Sequence, residues 1–346
     1  MLIKSLLLSK KKKINQKIPI WFMRQAGRYL PEYKDIRKKE KDFIKLCLSP
    51  TLAAKISLQP ITRFNLDGII LFSDILIIPY ALGQKVSFKT DIGPILSSLT
   101  NYNDLPETSE KDWQKKLSPV FRTLKILKKR KDKDKTLIGF CGSPLTVLTY
   151  MIEGGTSKNH LKTKAFLLKN PIEAKILIDK LVCISIFYLK HQIKAGVDVI
   201  QIFESWSSIL DGDLYTQYIV EPNKQIVEAI KSTNKETPII CFPRLSNWKT
   251  LEFIKSVPCD GLSIDLQTDD KTIEYCKKKH ITIQGNLDPV RLLLGGEQLK
   301  RSIKNIINKF KSHKFIFNLS HGILPNTPLK NVEKTIKYIR EYEKSD

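Results

Sequence analysis

Short apolar runs rich in β-branched residues recur along the whole sequence, and segments with helical spacing separate them. An apolar run of this length is typical of a strand that is buried on both faces of a parallel sheet. The segments between them repeat apolar residues every three or four positions, as at Trp113, Leu117, Val120, Leu124 and Leu127. The alternation predicts an α/β protein that forms a single (β/α)8 TIM barrel. The eight runs are residues 18–23, 68–72, 136–140, 197–203, 237–242, 261–264, 281–284 and 314–319.

The main competing architecture is a doubly wound parallel sheet. Such a sheet usually carries a glycine-rich phosphate-binding turn after its first strand, whereas here the first run continues into Met-Arg-Gln-Ala-Gly-Arg. The longest segment between runs, residues 75–135, contains turn signals at Gly83, Pro94 and Pro106 before helical spacing begins at Trp113. We therefore predict one catalytic barrel domain over residues 1–346, with an insertion after the second strand.

The charge of the chain is its most unusual compositional feature. Lys and Arg number 59 against 35 Asp and Glu, which gives a net charge of +24. An excess of this size favours an anionic partner, such as nucleic acid, an acidic membrane surface or an acidic substrate. Only ten of the 59 are arginines, the side chain that reads bases bidentately, and lysine runs occur at residues 10–13, 128–135 and 277–279. We interpret most of the charge as a solvated lysine-rich surface and expect no nucleic-acid or membrane partner.

The sequence does not favour export or membrane insertion. The apolar stretch at residues 6–8 is shorter than a signal peptide requires, and the basic block follows it. The six cysteines form no CxxC pair and no His/Cys cluster, so we expect reduced thiols and no metal site. We predict a cytoplasmic protein whose N-terminus forms a short amphipathic helix, with a basic transit peptide as the alternative.

Two arginines close together are informative in a chain with so few of them. Arg24 and Arg28 follow the first run, and active sites of barrels of this type lie where the strands end. If the chain turns helical there, the i, i+4 spacing places both guanidiniums on one face, where they would bind carboxylates or phosphates. The alternative is a surface pair, or an arginine that bonds helix carbonyls.

Other polar residues near strand ends are more ambiguous. Asp74 follows the second run and is either a site carboxylate or a helix N-cap. His321 is the only histidine at the end of one of these runs, and a satisfied buried histidine is an equally good interpretation. Tyr150 alone is more typical of a core residue, and Ser205 alone carries no signal.

Seven motifs, in order along the chain, resemble the uroporphyrinogen decarboxylase family nearly residue for residue. The first, WFMRQAGRYLPEY, includes both arginines of the pair. The resemblance extends from the first run to the last helix, so it is highly specific. The motifs are residues 21–33, 72–76, 139–146, 150–155, 203–205, 284–289 and 321–328.

The resemblance implies a heme-pathway lyase that removes carboxyl groups from the four acetate side chains of uroporphyrinogen III, giving coproporphyrinogen III. It also implies that the enzyme uses no metal and no organic cofactor and that it is a homodimer. By motif position, Arg24, Arg28, Asp74, Tyr150 and His321 would be catalytic. Substrate binding would involve these five together with Ser205 and the backbone of Gln25, Ala26 and Gly27.

The expected chemistry needs an electron sink, which a pyrrole protonated on carbon provides. An ionised Asp74 would accept hydrogen bonds from the pyrrole N–H groups and stabilise the cation. Arg24 and Arg28 would hold carboxylates, because an arginine is a weak general acid. His321 has the more suitable ordinary pKa for proton donation, although a propionate could occupy it, so the sequence leaves the donor open.

Two other functions remain as alternatives. A related methyltransferase on the same barrel would hold zinc through a His-x-Cys motif, which this sequence lacks. A basic nucleic-acid or membrane-surface binder has only the charge in its favour, and it predicts binding that weakens steeply with salt.

Overall fold

The computed structural model describes residues 1–10, 17–89 and 92–343, so three lysines of the run at 10–13 lie outside the described residues. The strands are β1 (Gly68–Ile70), β2 (Val86–Lys89), β3 (Gly93–Leu96), β4 (Thr136–Gly142), β5 (Val199–Glu204), β6 (Ile239–Pro243), β7 (Gly261–Ser263), β8 (Thr282–Leu287) and β9 (Phe315–Leu319). The helices are α1 (Leu2–Leu8), α2 (Pro31–Lys39), α3 (Phe43–Cys47), α4 (Pro50–Phe64), α5 (Ile77–Ala81), α6 (Glu110–Arg130), α7 (Pro144–Glu153), α8 (Leu161–Lys169), α9 (Pro171–Lys194), α10 (Gly212–Tyr215), α11 (Glu221–Thr233), α12 (Lys249–Ser256), α13 (Asp270–Lys278), α14 (Pro289–Leu294), α15 (Gly296–Phe310) and α16 (Leu329–Tyr342).

Seven parallel strands form the main sheet, in the order β1-β4-β5-β6-β7-β8-β9. Gln284 on β8 donates a hydrogen bond from Nε2 to Oε1 of Gln201 on β5 at 3.0 Å. In a flat sheet these two strands would lie about 14 Å apart, at about 4.8 Å per strand. Trp21 donates from Nε1 to Oε1 of the same Gln284 at 2.8 Å. The sheet is therefore curled, and buried polar side chains meet inside the curl.

The first apolar run differs from the prediction, because it is not a strand. Ile20 makes one isolated parallel bridge with Phe317 of β9. Phe317 N donates to Pro19 O at 2.8 Å, and Asp67 N donates to Ile20 O at 2.9 Å just before β1. Pro19 has no N–H to donate, so a regular ladder cannot extend toward the start of the run. The run lies between β9 and β1 without joining the sheet as a strand.

The segments with helical spacing are helices, as predicted. Their periodic apolar residues are buried in α6, α9 and α16, apart from Ile336, which is half-buried. α6 also begins with a capping box, in which Ser109 and Asp112 satisfy each other's backbone N–H groups. The spacing identified these helices because each one packs a single apolar face against the sheet or its neighbours.

The predicted N-terminal helix is α1, and it packs across the N-terminal edge of the sheet. Ile3, Leu6 and Leu7 are buried. A Cβ built on Gly68 would lie 2.9 Å from Ile3 Cδ1, and one on Gly261 would lie 2.9 Å from Leu7 Cδ2. α1 therefore covers the starts of β1 and β7, at the edge opposite the strand ends.

The segment between β1 and β4 contains α5, the antiparallel pair β2–β3 and α6. The pair is fastened to the end of α7, because Leu96 N donates to Gly154 O at 3.0 Å and Leu99 N donates to Met151 O at 2.9 Å. This contact matters for the site, since α7 carries Tyr150.

Within the described ranges, no helix combines the length and apolar character that crossing a membrane requires. Over the same residues, no three His, Cys, Asp or Glu side chains are grouped so that they could hold a metal ion. The cysteines are free; Cys183 is exposed and the other five are buried.

Candidate active site

Several of the predicted site residues lie together at the C-terminal edge of the curled sheet. Asp74 follows β1, His321 follows β9, and Tyr150 lies on α7, which follows β4. The charge of Arg24 acts on the ionisation of all three side chains. The loops that leave parallel strands meet at one edge, so distant parts of the sequence reach one site.

Arg24 is held in an unusual backbone conformation beneath the loop that follows β9. Its φ is 59°, in the left-handed region that costs a non-glycine residue about 1–2 kcal/mol. Its side chain runs across Gly322, where an added Cβ would lie 2.3 Å from Arg24 Cδ and 2.6 Å from Cγ. The turn is fixed on both sides of the arginine: Met23 N donates to Asn318 Oδ1 at 3.0 Å and Ile323 N donates to Met23 O at 2.9 Å. Glycine at position 322 therefore makes room for the arginine.

The helical face that a helical backbone would have given Arg24 and Arg28 does not form, because residues 23–29 contain turns and bends and α2 begins only at Pro31. The left-handed conformation of Arg24 is incompatible with a helix through that position. Both arginines are exposed. Arg24 acts on the site residues, whereas the charge of Arg28 acts on Tyr33 of α2.

The turn between the two arginines is pinned by Gln25, which is fully buried. Its Oε1 accepts from Phe22 N at 3.0 Å, and its Nε2 donates to Gly68 O at 2.9 Å. Gln25 N donates to Phe22 O at 3.0 Å, so that amide is already used within the turn. The amides of Ala26 and Gly27 have no acceptor among the described residues, which leaves both N–H groups available to an anion.

Asp74 uses one carboxylate oxygen for local structure and leaves the other unpaired. Its Oδ1 accepts a hydrogen bond from Leu76 N at 2.9 Å, immediately before α5 begins at Ile77. Leu76, not Asp74, is the N-cap of that helix, and Oδ2 has no partner among the described residues. Burial raises the pKa of the Asp74 carboxyl, while the Leu76 N–H and the Arg24 charge oppose the rise. The N-cap alternative is therefore wrong, and one acceptor oxygen remains for a ligand.

Tyr150 is half-buried on α7 and shares its surroundings with Asp74 and Arg24. Burial raises the pKa of Tyr150 to about 12, with Asp74 adding to the rise and Arg24 opposing it, so the hydroxyl is protonated near neutral pH. The ring centroid of Tyr150 lies 6.1 Å from that of Trp206. Trp206 in turn packs 4.6 Å from His160. Neither Trp206 nor His160 was singled out from the sequence, because packing between aromatic rings from different segments leaves no regular spacing in the sequence.

Ser205 follows β5 directly, and its backbone is fixed by two buried side chains. Ser205 N donates to Thr146 Oγ1 at 2.8 Å, and Thr146 donates its own hydroxyl to Glu204 Oε1. Glu204 Oε1 also accepts from Trp206 N at 3.0 Å. Ser205 Oγ has no partner among the described residues, so the side chain is free to bind a ligand.

His321 is half-buried after β9, close to two guanidiniums. Burial, together with the charges of Arg24 and Arg244, lowers the pKa of its imidazole to about 3. The imidazole of the unliganded site is therefore neutral near neutral pH, and the identity of the proton donor stays open. A neutral imidazole offers one donor and one acceptor nitrogen to a ligand.

The lowered pKa of His321 makes stability depend on pH. Between about pH 3 and the ordinary value of 6.5, the unfolded chain binds a proton at His321 that the folded chain does not bind. The free energy of unfolding contributed by this group therefore rises with pH across that window. We expect the His321→Gln variant to lose stability less steeply than wild type on acidification from about pH 6 to about pH 4. Urea titrations at several pH values measure this slope, and equal slopes for the two proteins would contradict the assignment.

Arg244 is the cationic residue of this edge that the predicted set of site residues omitted. It follows β6 directly, is half-buried, and interacts electrostatically with Arg24 and His321. The available signal was its rarity, since it is one of ten arginines and lies at a strand end.

Solved structures with similar folds are distant in sequence. A methyltransferase from Methanosarcina mazei is 18% identical with a TM-score of 0.78, and the match covers 99% of this chain and 96% of that one. A putative vitamin-B12-independent methionine synthase from Listeria monocytogenes is 12% identical with a TM-score of 0.58, covering 97% and 98%. These likenesses show the curled α/β fold and nothing about the reaction.

Sequence comparisons show the family. The profile described as "Uroporphyrinogen decarboxylase (URO-D)" matches residues 4–342. A protein of Rickettsia africae named uroporphyrinogen decarboxylase is 42% identical over 332 residues, which are 96% of this chain and 95% of the relative. One of the same name from Rickettsia canadensis is 40% identical over 339 residues, covering 98% and 99%. The resemblance seen in the seven motifs is confirmed, and the chain belongs to the uroporphyrinogen decarboxylase family.

Proposed function

We propose that this chain is a uroporphyrinogen decarboxylase that converts uroporphyrinogen III to coproporphyrinogen III in heme biosynthesis by removing carbon dioxide from four acetate side chains. The observation that carries the proposal is a carboxylate with a free oxygen, that of Asp74, on which the positive charge of Arg24 acts. The charge of Arg24 also acts on the pKa of the Tyr150 hydroxyl and of the His321 imidazole.

The reaction needs a group that accepts electrons when the carboxyl carbon leaves. Protonation of a pyrrole ring carbon makes the ring cationic, and the electrons of the broken C–C bond flow into it as carbon dioxide departs. A second proton then converts the exocyclic carbon to a methyl group, while the ring carbon loses its added proton. The substrate thus supplies its own electron sink, and we propose that no metal or organic cofactor takes part.

Asp74 stabilises the cation in this scheme. Its Oδ2 accepts hydrogen bonds from pyrrole N–H groups, and its negative charge faces the positive charge that develops on the ring. The bond from Leu76 N to Oδ1 fixes the orientation of the carboxylate before the substrate arrives.

The remaining residues of the proposed set hold the substrate. Arg24 and Arg28 bind carboxylates, and the amides of Ala26 and Gly27 add backbone donors. Tyr150, Ser205 and neutral His321 donate or accept hydrogen bonds. Gln25 contributes by holding the turn in place, because its side chain and amide are bonded within the protein.

We further propose that the curled sheet and the first run together form a closed eight-stranded barrel, with the β2–β3 pair inserted after the second strand. The hydrogen bonds of Pro19 and Ile20 to residues at both edges of the sheet support closure. Residues 1–346 would then be one catalytic domain.

The partners and location of the chain are proposed from the family resemblance. We propose a homodimer in the cytoplasm whose ligand is the porphyrinogen, with no nucleic-acid or membrane partner. The substrate is an octa-acid, so the net charge of +24 would raise its rate of encounter with the site.

The proposed activity is tested by incubating purified protein anaerobically with uroporphyrinogen III and a chelator. Oxidised samples are then separated by the number of carboxylates on the porphyrin. We expect porphyrins with seven to four carboxylates to accumulate in the presence of the chelator. A complete absence of these products, or activity that returns only with added metal, would contradict the proposal.

A further inference from the structure

Arg244 is a half-buried guanidinium with no hydrogen-bond or ion-pair partner among the described residues. Burial lowers its pKa, the Asp265 charge opposes that change, and the charge of Arg24 adds to it. A cation removed from water without a partner is costly to keep, so such groups are usually found where a ligand supplies the missing charge.

The charge of Asp265 acts on Arg244, but among the described residues the two side chains form no ion pair or hydrogen bond. Asp265 Oδ2 accepts from Leu245 N at 2.5 Å, and its Oδ1 accepts from Gln267 N at 2.8 Å and from Thr268 Oγ1 at 3.2 Å. The acceptors of the carboxylate are therefore used to shape the loops that follow β6 and β7.

The loop that carries Arg244 is fixed in a strained conformation. Leu245 has a φ of 62° and Asn247 a φ of 54°, both in the left-handed region. Arg244 N is shared between Glu204 O at 2.9 Å and Phe242 O at 3.0 Å. A bulky leucine is disfavoured in this region, and strain of this kind concentrates at functional sites because the surrounding structure must maintain it.

The charge of Arg24 influences both Asp74 and Arg244, but these two side chains do not influence each other. Both guanidiniums act on the imidazole of His321. Two cations and a neutral imidazole therefore surround one region of the site, and their mutual repulsion is relieved when an anion binds there.

We propose that Arg244, together with His321, binds a propionate carboxylate of the porphyrinogen and so anchors the end of the substrate that is not reacting. This inference rests on the proposed function. Each pyrrole of the substrate carries one acetate and one propionate, and the propionates survive all four decarboxylations. A fixed cation that does not act on Asp74 therefore meets a propionate in every turnover, whichever acetate is being removed.

The test compares Arg244→Met and Arg244→Lys with wild type, using Arg122→Met as the matched control. Arg122 is exposed on α6, so its removal takes one positive charge from the molecule without touching the site. Loss of a charge-assisted hydrogen-bonded contact should raise KM for uroporphyrinogen by about tenfold to a hundredfold in Arg244→Met. We expect kcat to change by less than about threefold, because the contact is equally strong in the ground state and the transition state.

The lysine variant keeps the charge and loses the planar fork, so it should fall between wild type and Arg244→Met. Anaerobic equilibrium binding of coproporphyrinogen III, which retains only propionates, should weaken by a similar factor in Arg244→Met and stay unchanged in Arg122→Met. A KM and a dissociation constant within about twofold of wild type would overturn the proposal. An equal loss in Arg122→Met would also overturn it, because the effect would then be that of the overall field.

Failure of the proposed function gives a different result. In that case the wild-type protein releases no decarboxylated product, while the binding comparison with coproporphyrinogen still decides whether Arg244 holds a carboxylate. Circular dichroism and urea titration of each variant show whether a change in binding reflects unfolding.

Discussion

The Asp74→Asn variant is expected to fold normally and to turn over about a hundred to a thousand times more slowly than wild type. Folding survives because the amide oxygen of asparagine can accept from Leu76 N as Asp74 Oδ1 does at 2.9 Å. Turnover falls because the substitution removes the negative charge that faces the ring cation. It also places an N–H donor where the pyrrole N–H groups need an acceptor.

The matched control for this charge removal is Asp42→Asn. Asp42 is the N-cap of α3 and accepts from Lys45 N at 3.0 Å, so it has a similar local role at an exposed position. Single-turnover rates separate the chemical step from product release, and urea titration compares stability. We expect wild-type rates for Asp42→Asn. Near-normal turnover in Asp74→Asn would mean that the charge of this carboxylate does not stabilise the transition state.

The alternation of buried strands and amphipathic helices could be predicted from sequence because the apolar pattern of each element depends on which of its faces are buried. A strand covered on both faces is apolar throughout, and a helix with one buried face repeats every three or four residues. Residues 18–23 have the first pattern and yet form a single bridge. An apolar pattern indicates that a segment is buried. Whether the segment forms a strand also depends on backbone N–H groups that can bond to a neighbouring strand, and Pro19 has none.

The geometry of the arginine pair could not be predicted from local spacing. An i, i+4 interval indicates a shared helical face only where the backbone is helical, and the left-handed φ of Arg24 prevents that. The conformation is held by β9, through Asn318, and by the loop after it, through Ile323. Nearly 300 residues separate these partners in sequence, and no pattern within the first motif reports them.

The pKa values of the site residues could not be predicted from the sequence either. The ordinary pKa of histidine favours His321 as an acid, but burial and two neighbouring guanidiniums hold its pKa at about 3. The neighbours of His321 also include Arg244, which follows β6 and which the sequence analysis did not include among the site residues. For binding and catalysis, the positions of a few basic residues relative to Asp74 matter more than the total number of basic residues. Charges within the site act at short range and are little screened by salt.

The substitution Gly322→Ala is expected to lower kcat/KM by about a hundredfold while changing stability little. The new methyl group would lie 2.3 Å from Arg24 Cδ, 2.6 Å from Cγ and 2.9 Å from Nε. The arginine side chain is exposed and flexible, so it moves aside at small cost in folding. The position of its guanidinium relative to Asp74 then changes, and a displacement of about 1 Å is enough for a loss of this size.

A double-mutant cycle separates this mechanism from a general disturbance of the loop that carries His321. In the Arg24→Ala background there is no long side chain for the methyl group to displace, so adding Gly322→Ala should cost less than about twofold. The control is Gly212→Ala, where an added Cβ meets nothing within 4 Å and the φ of 52° alone is unfavourable. This variant should lose about 1 kcal/mol of stability and keep wild-type kcat/KM. If Gly322→Ala costs a hundredfold in both backgrounds, the glycine serves the loop itself, and the clash with Arg24 is not the cause.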